Sequence, residues 1–137
     1  MKNEIWLHDP EDHDFPAAAD YLELHFPREV AAAIVTKLRK AETTTKKAKD
    51  VLRAAGLPLL DRDNIHVHED LKKVKEGKRL SPVLLVVGKP LIIADGYHRV
   101  CALCALSEDL EIPCRLVNPL KGTSLPAPTP CLWTRSS

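Results

Sequence analysis

Aromatic side chains are scarce: two Trp, two Tyr and two Phe in 137 residues. So few rings argue against a base-stacking platform for single-stranded nucleic acid. Long apolar runs are missing too. The longest, Pro82 to Val87, falls far short of the roughly 20 residues that cross a bilayer. The start, Met1-Lys2-Asn3-Glu4, lacks the apolar core of a secretory signal. Four cysteines without a framework spacing fit a reducing compartment better than a disulfide-held scaffold. A cytoplasmic protein with no membrane partner is the expectation. Charge of one sign is also absent, since 20 Lys/Arg against 19 Asp/Glu leave a net +1, and nothing global points to nucleic acid or anionic lipid.

What is present is an ordinary globular composition, 45% apolar and 28% charged, at a length suited to one domain. The charges are segregated: residues 1–30 hold two basic and eight acidic side chains, and residues 31–80 hold thirteen and seven. Solvated helix faces of opposite sign account for this pattern. The lysines Lys46, Lys47, Lys49, Lys72, Lys73 and Lys75 make nucleic-acid binding a rival reading, though arginine, the better base reader, is scarce there.

The first half reads as helices: Ala17 to Phe26 after a cap at Asp14, and Arg28 to Lys40 with Val30, Ile34, Val35 and Leu38 near 3.6 spacing. Thr43-Thr44-Thr45 would cap a third, Lys46 to Ala55, closed by Gly56, and Asn64 would start a fourth running to Glu76. The period then changes. Pro82 to Val87 and Pro90 to Ala94 are apolar β-rich runs joined by Gly88-Lys89, which suits a tight hairpin covered on both faces, the helical half being one cover. A helix follows Gly96, and Ile112 to Val117 is a last strand. The expected architecture is α+β: a small mixed sheet packed by helices. It forms one domain over residues 1–118, with a helical section at 14–56 and a core at 57–118. Residues 119–137, with four prolines, read as a flexible tail, and Trp133 within it fits a frayed terminus better than a docking point.

One segment carries chemistry: Leu91-Ile92-Ile93-Ala94-Asp95-Gly96-Tyr97-His98-Arg99-Val100. A strand feeding a helix start presents free N–H groups that attract anions. Gly96 permits close backbone approach to a ligand, and Arg99 offers a forked contact to phosphate oxygens. Asp95 is either the helix cap or a carboxylate that tolerates a phosphate only through a bridging cation. Mg²⁺ is held in that way, by one or two carboxylates plus phosphates.

The stretch from Leu80-Ser81-Pro82-Val83 through Asp95-Gly96-Tyr97-His98-Arg99 to Cys104 resembles the core of the ParB/sulfiredoxin superfamily, over roughly residues 57–118. The resemblance implies a nucleoside triphosphate, ATP or CTP, held with Mg²⁺ at Gly96, Tyr97, His98 and Arg99, with Lys78 and Arg79 within reach. Sulfiredoxins carry a catalytic cysteine where this chain has Tyr97, so peroxiredoxin repair is not expected. Partition ParB proteins continue into DNA-binding and dimerisation domains for which this chain is too short. The free-serine kinase branch uses an Asp-Gly-His-x-Arg-like segment and a carboxylate base, a role that falls here to Asp95 or Glu69. Hydrolysis, phosphotransfer or a nucleotide-driven switch are the activities implied. A non-catalytic regulatory or DNA- or protein-binding module is the alternative, and an apolar edge strand makes a homodimer plausible.

Other signals are weaker. Cys101-Ala102-Leu103-Cys104 lies mid-helix without a second ligand pair and reads as core. His66 and His68, two apart on a helix, face different directions. His8 and His13 belong to an acidic, solvated arm.

Overall fold

Val83-Leu84-Leu85-Val86 is buried at every position, so its sheet needs protein on both faces. The computed structural model, which describes residues 6–107 and 109–119, supplies both covers. Among the described residues four strands, β1 (Thr44–Lys47), β2 (Val83–Val86), β3 (Ile92–Asp95) and β4 (Glu111–Val117), form one sheet in the order β1-β4-β2-β3. β4 is antiparallel to β1 and parallel to β2, and β2 is antiparallel to β3. The helices are α1 (Asp14–Leu22), α2 (Arg28–Lys40), α3 (Ala48–Ala55), α4 (Ile65–Lys75) and α5 (Tyr97–Leu106). The α+β class with a mixed sheet is therefore as expected.

Alternation along β2 divides the apolar side chains between two cores. Leu84 and Val86 pack with Phe15 and Leu22 of α1 and with Ile34 and Leu38 of α2. Val83 and Leu85 face the other way, toward Leu52 of α3, Val67 of α4, and Val100 and Leu103 of α5. The expectation that the helical half forms a single cover is thus corrected. α1 and α2 take one face, while α3 and α4 join α5 on the other.

A second correction concerns Thr43-Thr44-Thr45. Thr44–Lys47 is not the start of a helix but the edge strand β1, paired with Glu111–Cys114 of β4. β-Branched threonines suit a pleated strand better than a helix, and α3 begins only at Ala48, whose N–H donates to Leu110 O. β1 is polar and exposed throughout, so the apolar edge of the sheet is β3, against which α1 packs.

The N-terminal arm is tied down, although His8 and His13 are exposed on it as expected. Trp6 is buried, the Leu7 N–H donates to Leu80 O, and Arg115 donates to Asp9 Oδ1 at 2.9 Å. Asp14 is not a cap but the first residue of α1, almost fully buried, and its carboxylate accepts the Glu11 N–H. Asn64 does cap α4, its Oδ1 accepting the N–H groups of His66 and Val67. Gly88 and Lys89 lie in the β2–β3 connection, in which the Lys89–Pro90 peptide bond is cis. Leu120 onward, Trp133 included, lies outside the described residues.

Candidate phosphate and metal cleft

β3 delivers the chain to α5 through Gly96, whose φ of +114° lies where side chains are rarely tolerated. A Cβ at this position would overlap Val83 of β2 and come within 2.8 Å of Arg99 Nη2. The glycine therefore lets the turn pack on its own sheet, and it also lines the cleft described below. Gly96 is also the N-cap of α5, and no side chain caps it. Asp95 is consequently not the cap, and the amides of the first turn keep their donors free for other acceptors.

Asp95 is instead bound to Arg99. Arg99 donates through Nη2 to Asp95 Oδ2 at 2.7 Å and through Nη1 to Ser81 Oγ at 2.8 Å, and Nη1 stands 3.7 Å from Asp14 Oδ1. Only 15% of the Arg99 side chain is exposed, and its Nε is buried without a partner. The sequence alone assigns Arg99 only a forked contact to phosphate oxygens. In the folded chain it joins α5 to β3, to the approach to β2, and to α1 on the far side of the sheet.

Beside this network, α4 and α5 enclose a polar cleft of about 250 Å³ lined by His66, Glu69, Asp70, Lys73, Asp95, Gly96, His98 and Arg99. Of the residues expected at a site, Glu69, Asp95, Gly96, His98 and Arg99 are brought together here. Tyr97 turns away, its hydroxyl donating to Pro58 O at 2.7 Å and so fixing the loop between α3 and α4. Lys78 pairs with Glu76 at 3.6 Å, and Arg79 lines a separate cavity with Trp6 and Arg115. Lys73 stands in the cleft where Lys78 or Arg79 was expected. Positions 66, 69, 70 and 73 follow helical spacing along one face of α4. That periodicity was the available signal for Asp70 and Lys73.

Burial governs the ionisation of this cluster. It raises the carboxyls of Asp95 and Asp70, and Arg99 offsets only part of the effect at each. It lowers the His98 imidazole below its ordinary 6.5, with His66 acting in the same direction and Asp70 against it. The carboxyls lend stability below their ordinary 3.8 that is lost as pH rises through their folded-state values. His98 has the opposite sign: its contribution is complete above 6.5 and is lost as pH falls through the lowered folded-state value. The melting temperature should accordingly fall less on acidification from about pH 7 to about pH 5 in His98→Gln than in the parent protein. Identical pH profiles would remove His98 from the electrostatics of the cleft.

Cys101 and Cys114 are buried, and burial pushes the Cys114 thiol up to about 11, which suits packing rather than reactivity. No helix among the described residues is long and apolar enough to cross a membrane. No protein-family model matches the chain, and neither a curated protein nor a solved structure is significantly similar to it.

Proposed function

We propose that the α4–α5 cleft binds a nucleoside triphosphate, ATP or CTP, with Mg²⁺, as the ParB/sulfiredoxin resemblance implies. One observation carries the reading: an uncapped helix start opens beside a cleft lined by three carboxylates and only two permanent cations, Lys73 and Arg99. The amides and Lys73 suit phosphate oxygens. The surplus of carboxylate repels a bare phosphate and accepts one accompanied by a divalent cation. Asp95 and Asp70, whose ionisation burial opposes, are the groups that such a cation would relieve. A volume of about 250 Å³ suits the phosphate portion of the ligand, leaving the nucleoside toward solvent. Glu69, exposed on α4 at the cleft, is the carboxylate positioned to act as a base.

The engagement of Arg99 with Asp95 and Ser81 favours a second reading, a non-catalytic regulatory module in which the motif is structural. Lys73→Ala separates the two, because Lys73 is exposed and its loss leaves the core intact. Calorimetric titration with Mg²⁺-nucleotide should show affinity weakened about tenfold, the effect of losing one charge-assisted contact of about 1.5 kcal/mol. Binding that is unchanged in the variant, or absent in the parent protein, would leave the regulatory reading.

A further inference from the structure

His66 on α4 and His98 on α5 face each other across the mouth of the cleft with ring centroids 4.8 Å apart. Two imidazoles on one tetrahedral ion place their centroids about 5 Å apart, given metal–nitrogen bonds of about 2.0–2.1 Å. Carboxylates flank both rings. Glu69 Oε1 stands 3.7 Å from His66 Nδ1, and Asp70 lines the same cleft as both rings. The His66 and Glu69 side chains are 62% and 61% exposed, so both can turn toward His98 without disturbing the core. We infer that His66 and His98, completed by Glu69 or Asp70, form a site for a divalent ion of the zinc class.

Two imidazoles and a carboxylate are the mixed nitrogen and oxygen set that zinc-class ions prefer, whereas Mg²⁺ takes oxygen ligands. The site goes beyond the nucleotide reading and needs no nucleotide. A tighter group exists at Glu11, His13 and Asp14, whose ligand atoms lie within 4.8 Å of one another. It offers a single imidazole, and its Asp14 carboxylate already accepts the Glu11 N–H and faces Arg99.

The test is titration of the intact protein with Co²⁺ alone, a spectroscopic substitute for Zn²⁺. Expected are one equivalent bound, the intense visible bands of a tetrahedral ion, and displacement by Zn²⁺ but not by a large excess of Mg²⁺. His66→Gln and His98→Gln should each weaken binding at least about 100-fold, the upper end of what a lost supporting residue gives. His13→Gln should bind as the parent does. Weak octahedral bands, unchanged affinity in either cleft variant, or loss in His13→Gln would overturn the assignment and leave His66 and His98 a stacked pair. Nucleotide binding that persists after such a failure would leave the nucleotide reading standing.

Discussion

Arg99→Ala is expected to destabilise the fold by about 3 kcal/mol, in the range found when one partner of a buried ion pair is removed. The reason lies in what stays behind. Asp14 is almost fully buried, Asp95 is one-fifth exposed, and Arg99 is the cation that faces both. Without it the two carboxylates remain desolvated on either side of a vacated space. Ser81, itself buried, loses its guanidinium donor as well. Arg99→Met with Asp14→Asn should recover part of the loss, because it removes a charge together with its partner. Chemical denaturation reads both quantities. A loss below about 1 kcal/mol for Arg99→Ala would make the guanidinium a dispensable surface contact, as a median surface ion pair is. Nucleotide binding by that variant is uninterpretable until its stability is known, which is why Lys73 is the better probe of phosphate.

Gly96→Ala is expected to destabilise by about 3 kcal/mol. Left-handed backbone costs a Cβ-bearing residue about 1–2 kcal/mol, and overpacking against Val83 adds about 1–3 kcal/mol. Gly77 separates these contributions. Its φ is +82° and nothing lies within 4 Å of a Cβ placed there, so Gly77→Ala carries the backbone penalty alone. The extra loss at Gly96 should reflect the overlap with Val83 and Arg99 Nη2, and Gly96→Ala should cost less in a Val83→Ala background than in the parent protein. Equal losses at the two glycines would contradict the packing role assigned to Gly96.

Much of the framework was legible in the sequence because its signals are local. Asn64 and Gly77 bracket α4, the apolar runs at 82–87 and 90–94 supply most of β2 and β3, and the Asp95-Gly96 step marks the change to α5. β1 was hidden because four polar, exposed residues have no apolar alternation, and threonines ahead of an apolar stretch also read as a helix cap. The division of the helices between two faces depends on strand order, which periodicity does not encode. The site was half legible. Asp95, Gly96, His98 and Arg99 are adjacent in sequence, whereas Asp14, Ser81 and the α4 face that completes the cleft are joined to them only by folding. Asp14 and Ser81, together with the neighbouring Asp95, are what engage Arg99 within the fold.

Phosphate and a divalent cation are expected to enter the cleft together. The most direct test of this joint entry is the melting temperature of the protein with ATP, CTP, GTP or UTP, each with and without Mg²⁺, and with Mg²⁺ alone. A ligand that binds only the native state raises the melting temperature with occupancy. The expected result is a rise for ATP or CTP in the presence of Mg²⁺, little for either component alone, and a smaller rise in Lys73→Ala. A shift with nucleotide that is indifferent to Mg²⁺, or no shift at millimolar nucleotide, would contradict it.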